Sequence, residues 1–388
     1  METDSQDKDS RRAAMKKYVY AMAIAILLGC LVGAFSMAAE PIYIGLLCPI
    51  TGTQAVMGED LLAGAQMAVD ETNAAGGVLG RPLELIIEDT EVRPAAGMDA
   101  ARKLVEVDGV PILTGGFSSG VSLPIEEYCQ EQEILYLLAV PTSPLFRDVG
   151  PFCMSVTIVD TFKGKAIAEF AVEDSGKTKF ALMFMNNAFG QALKEVTVEW
   201  LEELGAEILT EVNYELNKVD YKAELQRLFA KDPEAVIGTW YAKEGLVTAK
   251  QAYEMGLLDV ANVPWYVPEV TTSFAEAIQS IPDALEGIKG LDPLEPKELF
   301  KEKFVAKMGR EPITAFAAQY YDAVRMIAMA INFAQTTDPA AVRDTLFVID
   351  DWYRGVSYGG DKRFDEDGMQ GNADFRKVLI QNGTLVDY

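Results

Sequence analysis

Residues Pro111–Glu131 read PILTGGFSSGVSLPIEEYCQE. The apolar run Pro111–Thr114 has the length and composition of a buried strand, and Val121–Glu131 has the spacing of an amphipathic helix. Between them lies Gly115-Gly116-Phe117-Ser118-Ser119-Gly120. A loop of this kind presents backbone N–H groups and two hydroxyls at a helix N-terminus, where the dipole favours an anion. It lacks the partners that catalysis would need. The chain contains no histidine, and no Gly-x-x-x-x-Gly-Lys-Ser/Thr phosphate loop occurs. The reading is of a protein that binds a small anion rather than transforming it.

The strand-loop-helix unit recurs in both directions. Strands are expected at Ile42–Cys48, Leu83–Glu88, Pro111–Thr114 and Leu135–Val140, separated by helices at Glu59–Ala74, Pro94–Val107 and Val121–Glu131. The first of these helices places Leu62, Ala65, Val69 and Thr72 on one face. The pattern restarts after a strand near Cys153–Thr157, with strands at Lys179–Met185, Glu207–Tyr214, Ala235–Thr239 and Pro264–Val267. Helices at Phe162–Asp174, Gln191–Leu204, Tyr221–Lys231 and Ala242–Met255 connect them. Leu299–Gly309 and Ala315–Ala334 are further helices, Gly355–Gly371 reads as hairpins and loops, and Val378–Ile380 is a last strand. Alternation of this kind specifies an α/β fold with two doubly wound parallel-sheet lobes.

Length and charge agree. A chain of 388 residues exceeds one ordinary core and suggests at least two domains. The formal charge of −25 argues against a nucleic-acid or anionic-membrane partner, both of which need clustered Lys and Arg. Arg11, Arg12, Lys16 and Lys17 precede the uncharged run Tyr18–Ala39, which ends in small residues including Ser36-Met37-Ala38. That is a signal-peptide pattern, so residues 1–38 are expected to be removed on export to the periplasm, with Met15 as the better biological start. Two alternatives stay open. The run suffices, at about 20 residues, to remain as a membrane anchor, and Leu27-Leu28-Gly29-Cys30 resembles a lipoprotein cleavage box, although residues 31–35 stay apolar. Cys48, Cys129 and Cys153 would remain in the mature chain. They allow one disulfide with a free thiol, or three small buried side chains, and have no metal-ligand spacing.

Ligands of open parallel sheets bind beyond the carboxyl ends of the strands. In the first half those positions hold Thr51–Gly58, the Gly/Ser loop and Pro141-Thr142-Ser143. In the second they hold Asn186–Gly190, Trp240-Tyr241 and Pro268-Glu269. Each also has an ordinary explanation. Ser118 and Ser119 could cap a helix, Thr142 could belong to a turn, Trp240 and Tyr241 could be core aromatics, and Glu269 could be a solvated loop carboxylate.

As a set these positions resemble the type I periplasmic solute-binding proteins of ABC importers, specifically the leucine/isoleucine/valine-binding branch. The likeness runs from about residue 41 to 388. It is carried by Gly45-Leu46-Leu47, Thr51-Gly52, Gly58, Gly64-Ala65, Asn73–Arg81, Glu88-Asp89 and the ungapped block Ser118–Pro144. The resemblance implies that Ser119, Thr142 and nearby backbone N–H groups hold a ligand carboxylate. It implies that the Val140 carbonyl, Thr142 and Glu269 hold an ammonium, and that Tyr241 is a further contact. An α-amino acid is then the expected ligand, apolar, branched-chain or aromatic, because Glu269 is a poor neighbour for a carboxylate without a cation. Met57 and Phe189 stand where relatives often carry Tyr. With Phe117 and Trp240 they would make the side-chain pocket apolar, and an aromatic carboxylate or amide is the alternative ligand.

A hinge of three crossings is implied, near 158–161, 288–291 and 355–359. It assigns 39–159 plus 290–357 to lobe 1 and 160–289 plus 358–388 to lobe 2. The partners implied are the membrane permease subunits of an importer, with the protein itself a monomer. Retention of the Tyr18–Ala39 anchor would make the same module a sensory ligand-binding domain. No catalytic residue, metal or cofactor is expected.

Overall fold

A computed structural model describes residues 40–357, 363–371 and 375–388. The expected signal segment, its alternatives and Cys30 lie outside these residues. The first lobe is built from β1 (Ile42–Cys48), α1 (Ala55–Ala74), β2 (Leu83–Asp89), α2 (Pro94–Arg102), β3 (Ile112–Gly115), α3 (Ser119–Glu131), β4 (Leu135–Leu138) and β5 (Cys153–Ser155). Its five strands form a parallel sheet in the order β2-β1-β3-β4-β5. Every residue of β3 and β4 is buried, as expected of parallel strands covered by helices on both faces. The order reverses beside β1, so the loops after β1 and β3 open into one crevice.

The second lobe follows with α4 (Asp160–Ser175), β6 (Lys179–Met185), α5 (Ala188–Glu203), β7 (Glu207–Tyr214), α6 (Lys222–Phe229), β8 (Ala235–Gly238), α7 (Ala242–Glu254), β9 (Trp265–Val267), α8 (Val270–Ser280) and β10 (Lys289–Pro293). The chain then returns to the first lobe through α9 (Glu298–Met308), α10 (Phe316–Ala334) and α11 (Pro339–Ile349). Gly64 explains how closely α10 can approach: a Cβ there would collide with the Ala317 carbonyl, so only glycine lets α1 and α10 meet backbone to backbone. Last come β11 (Phe375–Gln381) and β12 (Thr384–Asp387), which extend the second sheet antiparallel to give β12-β11-β10-β9-β8-β6-β7. The sequence reading had one terminal strand here and lacked α8, β10, α11 and β12.

Two of the expected lobe boundaries need correction. Residues 290–293, assigned to lobe 1, belong to β10, which is hydrogen-bonded between β9 and β11 in the second sheet. The return therefore falls between Pro293 and Glu298. Residues 363–371, assigned to lobe 2, pack on lobe 1. The Ser155 N–H donates to the Gly368 carbonyl at 3.0 Å, Met369 is buried beside Cys153 and Leu138, and Arg147 pairs with Asp365 at 2.7 Å. The physical reason is the exposed edge of β5, which this turn covers. Gly371 is thus still on the first lobe, and Phe375 already begins β11 of the second sheet. The first crossing runs from Ser155 to Asp160.

Cys48, Cys129 and Cys153 are all buried free thiols, which removes the disulfide alternative. Burial pushes the Cys48 thiol up to about 12.

Candidate functional site

The Gly/Ser loop turns sharply because Gly115 and Gly116 sit at φ +100° and +80°, a region that side chains disfavour. It is pinned from behind. Gly116 N–H donates to the Leu47 carbonyl at 2.8 Å, and the Tyr320 hydroxyl of α10 lies 2.9 Å from the Gly116 carbonyl. This delivers Ser119 to the first position of α3, where backbone N–H groups have no intrahelical acceptor. The Ser119 Oγ accepts from the Thr142 and Ser143 N–H groups at 3.2 and 3.3 Å. Accepting twice leaves its own proton to donate, which suits a carboxylate.

The cleft between the lobes has about 300 Å³ of space between its lining atoms, its mouth included. Ser119, Val140, Thr142 and Phe117 line it from the first lobe, and Tyr241, Glu269 and Phe189 from the second. Pro141, Thr272 and Phe316 complete the wall. Seven of the nine residues expected from sequence are therefore gathered here. The aromatic wall is continuous: Phe117 lies 5.9 Å from Tyr241 and 6.4 Å from Phe316 between ring centroids, and Phe189 stacks on Tyr241 at 6.4 Å. The lobes meet across it. The Tyr241 hydroxyl is 3.3 Å from that of Ser118, and burial pushes the phenol up to about 12, so it keeps its proton. Ser118 occupies the N-cap position of α3 but makes no capping bond with its side chain. Its side chain makes this contact across the cleft in place of the cap it could have formed.

Met57 and Trp240 are placed elsewhere. Met57 is buried in the first turn of α1 and is absent from the cleft wall. Trp240 is fully buried in the core of the second lobe, stacked on Trp265 and Phe274 at 5.9 and 5.5 Å. Ser273 fixes it by exchanging hydrogen bonds with its backbone N–H and carbonyl at 3.2 and 3.1 Å. Gly238 leaves the space its ring fills.

Sequence reading missed three contributors. Phe316 and Thr272 come from the ends of α10 and α8. The third is Lys163, one turn into α4 and 2 % exposed in its side chain. Its ammonium contacts Glu269 Oε1, lies 2.9 Å from Asp160 Oδ1, and sits 5.3 Å from the centroid of the Phe189 ring. The Asp160 contact is an ion contact without hydrogen-bond alignment. Burial raises the Asp160 carboxyl from 3.8 to about 6, against the opposing pull of Lys163. Asp160 N–H also donates to the Thr142 carbonyl at 2.7 Å, so the triad sits at the hinge directly behind Thr142. The expectation that Glu269 needs a ligand ammonium assumed that it had no positive partner. Lys163 is that partner.

A second, more polar cavity of about 550 Å³ adjoins the cleft and shares Thr272 and Phe316 with it. Burial raises its Asp292 carboxyl to about 6. Among the described residues no cluster could hold a metal ion, and no helix is long and apolar enough to cross a membrane.

Comparison with known proteins places this geometry. A family described as periplasmic binding protein matches residues 41–384. The leucine-, isoleucine-, valine-, threonine- and alanine-binding protein of Pseudomonas aeruginosa is 28% identical over 352 residues, covering 88% of this chain and 90% of its own. A leucine-binding protein of Thermotoga maritima superposes with a TM-score of 0.80 at 23% identity, covering 89% of this chain and 97% of its own. A solute-binding protein of R. palustris, solved in complex with benzoate, superposes with a TM-score of 0.77 at 19% identity, covering 90% and 95%. The chain belongs to the periplasmic binding protein family, with the type I fold and the character of its leucine/isoleucine/valine-binding branch.

Proposed function

We propose that the protein is an extracytoplasmic receptor that captures a small carboxylic acid with an apolar or aromatic body. It would close its two lobes over that ligand and present the closed form to the permease subunits of an ABC importer. The observation that carries this reading is the meeting of Ser119 and Thr142, at the N-terminus of α3, with the wall of Phe117, Phe189, Tyr241 and Phe316. The first lobe supplies hydroxyl donors and a helix dipole for one anionic group. The aromatic wall offers apolar surface for the rest of the ligand. Hinge closure then excludes water and strengthens the polar contacts.

Branched-chain and aromatic amino acids fall in this ligand class, and the Pseudomonas relative is named for amino acids with small or branched side chains. Carboxylates without an amino group form the second reading, favoured by the Lys163–Glu269 contact. A thermal-shift panel of leucine, phenylalanine and benzoate tests the class. A ligand at 100 times its Kd stabilises the folded form by about 2.7 kcal/mol. At least one acid should raise Tm while its amide does not; a shift by the amides alone would sink the carboxylate reading.

A further inference from the structure

Lys163 changes what the cleft asks of a ligand. Its positive charge is fixed by the first turn of α4, reaches Glu269 Oε1, and ends 5.3 Å from the centre of the Phe189 ring that walls the cleft. An α-ammonium seeking Glu269 would have to come up beside it. Building on the carboxylate-capture reading above, we propose that Lys163 sets the charge class of the ligand. It fills the cationic position at Glu269 from within the chain, so the cleft selects apolar monocarboxylates that lack an α-ammonium over the corresponding amino acids.

The charge count supports this. Glu269 and Lys163 neutralise one another, and both are almost withdrawn from water. A second ammonium at Glu269 would sit against a buried like charge. Among the described residues the other carboxylates that act on this pair are Asp160, which faces Lys163 and Glu269, and Asp292, which acts on Glu269 from the adjoining cavity; the Asp160 N–H donates to the Thr142 carbonyl. Burial already draws a proton toward Asp160. Below about pH 6 that proton is in place, the triad is balanced and leaves no role for a ligand cation; above it Asp160 is ionised and the preference should weaken. The ligand's carboxylate is served separately, by Ser119 and the first turn of α3. Phe189 and Phe117 offer the apolar surface that the rest of a deaminated acid requires.

The test uses matched pairs that differ only in the amino group: leucine against 4-methylpentanoate, and phenylalanine against 3-phenylpropanoate. Isothermal titration of the purified chain at about pH 5.5, where Asp160 keeps its proton, should show each deaminated acid binding at least about tenfold more tightly than its amino acid. In Lys163→Gln the preference should fall by at least tenfold, because Glu269 is then free to take an ammonium. The Lys163→Gln/Glu269→Gln double variant removes both charges of that contact together, and without Lys163 burial keeps Asp160 protonated at the same pH, which guards against a folding defect. It should bind the deaminated acids with little further dependence on the pair. Equal or tighter binding of the amino acids by the unaltered protein would overturn the assignment to Lys163 and leave carboxylate capture standing. Failure of both members of each pair, with binding of their amides, would overturn both.

Discussion

The hydroxyl of Tyr241, carried by the second lobe, lies 3.3 Å from that of Ser118 in the first, and both side chains are buried. This bond joins the two lobes, so it can exist only when they are together. A neutral hydrogen bond contributes about 0.5 to 1.5 kcal/mol. Tyr241→Phe should weaken ligand binding by about two- to tenfold on that basis, and the loss should appear as faster release in stopped-flow measurements. Ser118→Ala should have the same effect, and combining the two should cost nothing more. Additive losses would mean that the residues act separately.

Ser119 has a different job, and its removal should leave a different trace. Its Oγ is the acceptor for two buried backbone N–H groups and the donor proposed for the ligand. Ser119→Ala should therefore lower both the Tm of the free protein and the affinity for carboxylates. A hydrogen bond to a charged group contributes about 1.5 to 3 kcal/mol, so affinity should fall by at least about tenfold. A variant with reduced Tm but full affinity would confine Ser119 to a structural role.

What the sequence could and could not reveal follows from these residues. The Gly/Ser loop was legible because Gly115 and Gly116 punctuate an apolar strand, and strand-end loops are where such sheets bind ligands. Lys163 was not. A lysine three residues after an aspartate on an amphipathic helix looks like a solvated i,i+3 pair, and only the hinge packed over Asp160 reveals it as buried. Trp240 was misplaced because β8 is buried on both faces. Side-chain alternation therefore does not distinguish the cleft side from the core side. The late crossing escaped because residues 363–371 carry no periodic pattern, and their place on the edge of β5 depends on partners more than two hundred residues away.

The burial of Trp240 yields a prediction that separates core from site. Its ring stacks on Trp265 and Phe274, away from the cleft wall. Trp240→Ala should cost about 3 to 5 kcal/mol of stability, seen as a large fall in Tm. At a temperature where the variant remains folded, the rank order of ligands should be unchanged. A reordering would return Trp240 to the ligand wall.

Asp160 gives the pH dependence its sign. Its folded carboxyl titrates near 6 instead of 3.8 because burial penalises the charged form. A carboxyl whose folded pKa is raised stabilises the protein below the unfolded value, and that contribution is lost as pH rises through the folded one. Both Asp160 and an Asn in its place are neutral at pH 3.5, so the two proteins should differ least there. By pH 7.5 the aspartate is ionised in its buried position. The pull of Lys163 is already part of that balance, and a shift of about two units corresponds to about 3 kcal/mol, the upper bound for the gain in Asp160→Asn. The variant should therefore gain Tm relative to the unaltered protein between pH 4 and 7. A relative loss over that interval would mean that the Lys163 contact outweighs desolvation, and that Asp160 is held in its charged form.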